Sequence, residues 1–239
     1  MNLETLRHSC AHLLAHAVKE LFPDVKLGIG PSIENGFYYD FEKAEPFTPE
    51  DLKTLEKKMY ELAKKKLPIE QVKLTKKEQD DLFKKEPYKK ELAKELKEPS
   101  FYKQGDFIDL CKGPHVENTQ ELKGLFKLTK VSAAYWKGDS KNKQLQRIYG
   151  YAFESKEKLK AFIQLMLEAE KRSHLKLGKQ LELFSFHKEG PGFPFLQPKG
   201  IILWNQLMKF WKEKHDEFGY VEIRTPIILN KSLWETSGH

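Results

Sequence analysis

The sequence is poor in cysteine and has no long apolar run. Cys10 and Cys111 are its two cysteines among 239 residues, which excludes a disulfide framework and is typical of a reducing compartment. No apolar stretch approaches the roughly 18 residues that a membrane-spanning helix requires, and the N-terminus lacks a basic segment followed by an apolar one. We therefore expect a cytoplasmic protein that does not associate with a membrane.

The composition is that of a folded, basic protein. Hydrophobic residues make up 39% and aromatic residues 12% of the chain, too many for a disordered protein. The formal net charge is +7, and pairs and triplets of lysine recur between positions 57 and 90. This balance favours a polyanionic partner such as nucleic acid. Alternatively, the lysines lie on solvated faces of amphipathic helices beside Glu and Asp, and charge alone does not decide between the two.

Three histidines recur at steps of four near the N-terminus. His8, His12 and His16 share one face of a predicted helix over 3–21. An apolar stripe lies roughly opposite them. It consists of Leu6, Cys10, Leu13, Leu14, Ala17, Val18 and Leu21. The histidine face is therefore either a solvated surface or one wall of a site, and the sequence up to this point favours neither.

Alternating helix and strand patterns follow. Asn35-Gly36 between apolar residues predicts a hairpin with a type I′ turn, and Thr48 and Thr75 each precede a predicted helix as its N-cap. Further helices are predicted over 48–66, 75–97, 155–179 and 200–217. Strands are predicted over 69–74, 101–103, 107–110, 124–131, 133–136, 144–153, 181–184 and 220–224. Packed helices on a mixed or antiparallel sheet make an α+β fold.

The pattern divides the chain into three parts. Residues 1–154 form the α+β domain, 155–180 a connecting helix, and 181–239 a segment of different composition. The last segment is too short to be a complete second domain. We expect the chemistry of the protein in the first part.

Two residue pairs carry that chemistry. His8-x-x-x-His12 is held by helical geometry, and Cys111-x-x-x-His115 follows a predicted strand directly. Such a set binds zinc, with an open position for a metal-activated water. It also works without metal, when imidazoles position water and transfer protons and Cys111 is a hydrogen-bond partner. Spacing alone favours zinc.

Several segments together resemble a known family. They are 7–12 (RHSCAH), 30–40 (GPSIENGFYYD), 109–115 (DLCKGPH), 134–140 (AYWKGDS) and 145–150 (LQRIYG). In order and spacing these segments resemble the editing domain of bacterial threonyl-tRNA synthetases, which is related to the stand-alone alanyl-tRNA deacylases. The resemblance implies hydrolysis of serine mischarged onto tRNA(Thr). Such editing is needed because a binding site discriminates a single methyl group by only about 1–3 kcal/mol.

The resemblance also assigns roles to residues. His8 and Lys89 correspond to the pair that holds and activates the attacking water. Asp109 corresponds to the carboxylate that holds the seryl group, and His115 to a histidine near the terminal adenosine. Lys89 has Lys90 beside it, so the sequence leaves open which of the two lysines serves the site.

Four further positions complete the predicted site. His12 and Cys111 belong to the constellation, and Gly30 and Tyr39 correspond to pocket residues in the glycine-rich hairpin. The related alanine deacylases use the four His and Cys positions for zinc, whereas the threonyl editing domain works without it. The resemblance therefore implies no cofactor for editing, with zinc at His8, His12, Cys111 and His115 as the less favoured alternative.

The last segment resembles the start of a class II synthetase catalytic domain. Residues 219–226 are similar to its first motif, which commonly forms a dimer interface, so a homodimer through 200–226 is expected. ATP, Mg and a second zinc would belong to a catalytic core that the sequence does not include, and aminoacylation is not expected. The implied partner is the acceptor end of tRNA(Thr). A zinc-dependent deacylase with another amino-acid preference and a non-catalytic tRNA-binding fragment remain alternatives.

Overall fold

The computed structural model describes residues 2–238 and contains two compact units, Met1–Leu165 and Met166–His239. The helices are α1 (Leu3–Leu21), α2 (Pro49–Lys64), α3 (Lys76–Lys85), α4 (Pro87–Lys94), α5 (Lys156–Lys171), α6 (His174–Gln180), α7 (Pro198–Glu217) and α8 (Lys231–Ser237). The strands are β1 (Lys26–Leu27), β2 (Ser32–Ile33), β3 (Gly36–Glu42), β4 (Ile69–Val72), β5 (Phe101–Gln104), β6 (Phe107–Leu110), β7 (Phe126–Tyr135), β8 (Gln144–Ala152), β9 (Phe184–Ser185) and β10 (Phe195–Leu196). The division between the units falls within α5, and the predicted limits 1–154, 155–180 and 181–239 remain a prediction.

Helix α1 has the predicted bounds, and local sequence explains both ends. The Asn2 side chain accepts a hydrogen bond from the Glu4 backbone N–H, and the helix ends at Leu21, two residues before Pro23. The interior of the helix is buried on all sides, including His12 and His16. The alternative of a solvated histidine face is therefore wrong, because other elements cover the face opposite the apolar stripe.

The main sheet lies against α1. It is antiparallel with the order β1-β3-β8-β7, and β2 pairs with β3. Inward-facing Phe37, Tyr39 and Phe41 of β3 join the α1 residues in one hydrophobic core. Because successive side chains of a strand point to opposite faces of the sheet, every second side chain of β3 faces the helix that carries the histidines. The α+β fold with an antiparallel sheet is confirmed.

A second antiparallel sheet, β4-β5-β6, delivers the loop at Cys111. Strands β5 and β6 join at Gly105, whose φ of +61° suits a residue without a Cβ. Beyond β6, the Cys111 N–H donates to the Ser100 carbonyl at 3.1 Å, and the Ser100 hydroxyl donates to the Cys111 carbonyl at 2.6 Å. These two bonds extend the strand pairing by one residue and fix where the loop leaves the sheet.

The hairpin between β2 and β3 forms, but its predicted turn is wrong. Ile33 pairs with Gly36, so Glu34 and Asn35 are the turn residues, and neither has a positive φ. A type I′ turn requires positive φ at both central positions. Gly36 is instead a strand residue where a Cβ would lie 1.9 Å from the Gly150 carbonyl oxygen. Glycine is needed at this position so that β3 and β8 can approach closely, rather than for the turn.

Two predictions for the second half also differ from the structure. The helix predicted over 155–179 is broken between α5 and α6, at residues 172–173. The strand predicted over 220–224 is absent from the described chain, and Val221 and Ile223 are 84% and 77% exposed. A β-pattern forms a strand only where a partner strand accepts its hydrogen bonds, and this segment has no such partner within residues 2–238.

None of the helices in the described part of the chain combines the length and the apolar character that a bilayer span requires.

Candidate active site

A cavity of about 580 Å³ opens among α1, the β2–β3 hairpin, α4 and the loop after β6. Seven of the eight residues predicted from the sequence line it: His8, His12, Gly30, Tyr39, Lys89, Asp109 and Cys111. The eighth, His115, lies behind this wall and contacts His8, His12 and Cys111. Residues distant in sequence are therefore brought together as predicted, from four separate elements.

His8 is a neutral imidazole with one free nitrogen. Its Nδ1 lies 3.3 Å from the Gly30 carbonyl oxygen, so Nδ1 carries the hydrogen and donates it. Burial lowers the pKa of His8 below its ordinary value, while the hydrogen bond to Gly30 opposes that shift. Nε2 is buried without a partner among the described residues. This geometry leaves an unshared lone pair that can accept a proton from water.

His115 is held by two side chains. Its Nδ1 lies 3.1 Å from the Ser9 hydroxyl, its Nε2 lies 2.9 Å from Cys111 Sγ, and its ring stacks on His8 at 4.5 Å. Burial lowers the pKa of His115 to about 2, and the neighbouring His12 and His8 add to that shift. The ring is therefore neutral at physiological pH.

The other two histidines of α1 differ from His8. His12 is fully buried, burial holds its pKa well below the ordinary value, and neither ring nitrogen has a partner in the part of the chain that the structure describes. His16 lies away from the cavity, where Gln104 Nε2 donates to Nδ1 at 2.7 Å and Glu20 lies 3.2 Å from Nε2. His16 thus has a structural set of partners.

The opposite wall carries a buried group of three charged and polar side chains. Lys89 Nζ lies 2.7 Å from Asp109 Oδ1, and the Tyr39 hydroxyl donates to Asp109 Oδ2 at 2.6 Å. Lys89 also donates to the Leu110 carbonyl at 3.3 Å. Lys90 is exposed. The structure therefore places Lys89, rather than its neighbour, in the predicted site.

Sequence reasoning missed the residue that anchors α4. Glu86 precedes this helix and is buried, with one oxygen 2.8 Å from Lys19 Nζ and the other accepting from the Leu27 N–H at 2.7 Å. Its contacts join α1, β1 and α4, and α4 carries Lys89. One glutamate among several in a lysine-rich segment gives no sequence signal of such a role.

Cys111 and Gly30 shape the remaining walls. Burial raises the pKa of the Cys111 thiol to about 12, which favours the protonated thiol at neutral pH. Its sulfur lies 2.9 Å from His115 Nε2, within hydrogen-bond distance, and accepts a hydrogen bond from the Gly113 backbone. At Gly30, a Cβ would lie 2.1 Å from the Tyr39 ring. The close packing of residue 30 on the Tyr39 ring therefore requires glycine at this position.

Three residues fit a metal ion, and a fourth does not join them. Donor atoms of His8, Cys111 and His115 all lie within 4.8 Å of one another. Donors of a tetrahedral zinc lie roughly 3.3–3.8 Å apart, so the 2.9 Å between Cys111 Sγ and His115 Nε2 would have to open by less than about 1 Å. His12 is outside this group in the described structure. The predicted four-residue zinc set is therefore corrected to three residues with an open fourth position.

Comparison with known proteins identifies the relatives. Residues 100–149 match the model of the threonyl and alanyl tRNA synthetase second additional domain. In alignments of 241 positions that cover 99% of this chain, the sequence is 54% identical to a threonine–tRNA ligase of Clostridium tetani, 53% to one of Carboxydothermus hydrogenoformans and 52% to one of Acetivibrio thermocellus. This chain is related to the threonine–tRNA ligases. The predicted resemblance is confirmed.

The matches differ in how much of the relatives' length and how much of the candidate site they cover. The chain spans 38% of the length of these relatives. The matched domain of 50 residues contains Asp109, Cys111 and His115, whereas His8 and Lys89 lie outside it. The similarity to threonine–tRNA ligases extends over the whole cavity, because the pairwise matches cover nearly the full chain.

Proposed function

We propose that the chain hydrolyses seryl-tRNA(Thr) and so removes serine mischarged by a threonyl-tRNA synthetase. One observation carries the proposal. A neutral His8 with an unpartnered Nε2 lines the same cavity as the buried Lys89, Asp109 and Tyr39. A general base and a fixed cation in one cavity are what ester hydrolysis requires.

The unused lone pair of His8 and the unused hydrogen-bond donor of Lys89 define the roles of these two residues. His8 Nε2 takes a proton from water as the water oxygen bonds to the ester carbonyl carbon, and it returns that proton to the ribose oxygen when the ester C–O bond breaks. The ammonium of Lys89 has three donors and uses two of them, on Asp109 and Leu110. The third donor is available to stabilise negative charge on the carbonyl oxygen. Serine and deacylated tRNA are the products.

Asp109 supplies recognition. Its two oxygens have about four acceptor positions, of which Lys89 and Tyr39 occupy two. The others accept from the amine or hydroxyl of a seryl group. Threonine has one more methyl group. Gly30 packs so closely on the Tyr39 ring that a Cβ at Gly30 would lie 2.1 Å from it, and we propose that this wall does not move aside for the added methyl group. Exclusion of that methyl selects serine.

The test is deacylation of seryl-tRNA(Thr) and threonyl-tRNA(Thr) by the full chain. We expect serine-selective hydrolysis that falls by about 100-fold or more in His8→Ala, because a general base is removed. His174→Ala, an exposed histidine in α6, is the matched control and retains full activity. Equal hydrolysis of both substrates contradicts the proposal. Binding of tRNA without hydrolysis supports instead a non-catalytic tRNA-binding fragment.

The donor geometry favours a second candidate, a zinc-dependent aminoacyl-tRNA deacylase of other amino-acid preference. His8, Cys111 and His115 would hold the ion, which would supply an activated water when bound. Elemental analysis of the purified chain, with activity measured before and after chelation, separates the two candidates. Stoichiometric zinc together with activity abolished by chelator refutes the metal-free mechanism. Full activity in zinc-free protein refutes the zinc-dependent one.

We further propose that 181–239 is the beginning of a class II catalytic segment and that 200–226 contributes to a homodimer in the cytoplasm. Large apolar side chains on several sides of α7 support an interface, among them Ile202 at 63% and Phe210 at 59% exposure. Light scattering across a range of concentrations tests this proposal. Concentration-dependent dimerisation that Phe210→Glu abolishes is expected, and a monomer at high concentration contradicts it.

A further inference from the structure

We propose that Ser9 is a positioning residue that fixes the tautomer of His115 and thereby decides whether Cys111 presents a hydrogen-bond donor to the cavity. This inference rests on the deacylase function proposed above. It begins with a residue that the mechanism does not use. Ser9 lies on α1 between His8 and Cys10 and is fully buried.

The Ser9 hydroxyl joins two groups of the loop after β6. The Val116 backbone N–H donates to Ser9 Oγ at 3.0 Å, and Ser9 Oγ lies 3.1 Å from His115 Nδ1. A hydroxyl has one hydrogen and two lone pairs. Val116 uses one lone pair and leaves the hydroxyl its hydrogen and one lone pair, and we assign that hydrogen to His115, so that Nδ1 is the acceptor.

An accepting Nδ1 sets the rest of the ring. A neutral imidazole carries one hydrogen, so the hydrogen of His115 resides on Nε2. That nitrogen lies 2.9 Å from Cys111 Sγ and donates to it. The hydrogen bonds therefore run in one direction, from Val116 through Ser9 and His115 to Cys111.

The direction of this chain determines the polarity of Cys111. When sulfur accepts from His115, its own S–H hydrogen is free to point into the cavity that Cys111 lines. In the other tautomer, Nε2 has a lone pair and takes the S–H hydrogen, and the sulfur presents only lone pairs to a substrate. Ser9 thus acts on the cavity through two intervening side chains.

The direct test is to measure which tautomer His115 adopts. Ring 15N chemical shifts of the full chain, labelled at histidine and dialysed against a chelator, are expected to show His115 protonated at Nε2, with assignment by His115→Gln. Ser9→Ala is expected to move the ring toward the Nδ1–H tautomer, and Ser9→Thr, which keeps the hydroxyl, to restore it. Wild-type protein with hydrogen on Nδ1, or a ring that Ser9→Ala leaves unchanged, overturns the proposal.

Kinetics separate positioning from a merely structural role. Ser9→Ala is expected to lower kcat/KM on seryl-tRNA(Thr) by about threefold to tenfold, the value of one hydrogen bond. Cys10→Ala truncates the neighbouring buried side chain without touching His115 and serves as the control for helix stability. Equal kinetic losses in the two variants contradict the proposal.

A double-mutant cycle adds a sharper readout. Since Ser9 acts through Cys111, Ser9→Ala in a Cys111→Ala background is expected to cause no further kinetic loss. Additive losses indicate that Ser9 merely satisfies the Val116 N–H, and they overturn the inference. A chain that deacylates neither substrate but keeps the Ser9-dependent tautomer would refute the proposed function and leave the positioning of His115 intact.

Discussion

Lys89 and Asp109 form an ion pair with almost no access to solvent, and replacing Lys89 by methionine tests its importance. Their side chains are 4% and 3% exposed, and Nζ lies 2.7 Å from Oδ1. Methionine fills similar space but removes the positive charge. The Asp109 carboxylate then stays buried with Tyr39 as its remaining side-chain donor.

The expected cost is large because a buried charge is left without its counterion. Breaking a buried pair by removing one partner typically costs about 3–5 kcal/mol. Replacing both charges costs less, so Lys89→Met combined with Asp109→Asn should be about 2 kcal/mol more stable than Lys89→Met alone. The asparagine still accepts the hydrogen bond from Tyr39.

Amide hydrogen exchange at a series of urea concentrations measures this cost within the first unit. Peptides from β3 and β6 report opening of the strands that carry Tyr39 and Asp109. Lys84→Met is the matched control, since Lys84 pairs with Asp81 on an exposed helix surface, and no measurable change is expected there. Both Lys89 variants should lose deacylation, because the double variant restores stability but not the cation.

The reasoning is refuted if Lys89→Met costs less than about 1 kcal/mol, the value of an exposed pair. It is also refuted if the double variant is less stable than the single one. Either result would mean that the buried carboxylate is compensated by groups other than Lys89.

Three further predictions concern the same unit. Gly30→Ala places a methyl group 2.1 Å from the Tyr39 ring, so deacylation of seryl-tRNA(Thr) should be lost. Gly138→Ala meets no atom within 4 Å but is strained by its φ of +74°, so it should lower stability and retain deacylation. His12 is neutral when folded, since burial holds its pKa well below the unfolded value of 6.5. The contribution of neutral His12 to the free energy of unfolding is therefore fully present above about pH 6.5 and should fall by up to about 1.4 kcal/mol per pH unit below it. Urea titrations at several pH values should find this dependence on pH reduced in His12→Gln. Glu86→Gln removes the buried anion at the start of α4 and should speed hydrogen exchange in α4 while leaving α2 unchanged.

Local signals in the sequence were sufficient for many of the elements. Helix α1 has the predicted bounds 3–21, and Thr48 and Thr75 are the N-caps of α2 and α3, as predicted. These signals succeed because capping and proline effects act over only a few residues. Seven of the eight candidate site residues lie in segments that resemble the family, whereas Lys89 lies outside them. The role of each residue remains a prediction.

Contacts distant in sequence decided the rest. The strand predicted over 220–224 has suitable residues but no partner strand in the described chain. The hairpin turn lies at Glu34 and Asn35 because Gly36 pairs with Ile33 of β2 and with Tyr151 of β8 and is therefore a strand residue. Neither outcome can be read from a pattern within a few residues, because hydrogen-bond partners and register depend on other strands.

The sequence by itself determined the helix that carries the histidines, the motifs at the cavity and the family to which they point. The tertiary structure decided which side chains act together. It buried Lys89 rather than Lys90, placed His12 outside the group of three donors, and connected Ser9 to His115 across 106 positions. The physical reason is that burial and hydrogen bonding depend on which elements pack against a residue, whereas its neighbours in sequence determine only the element that carries it.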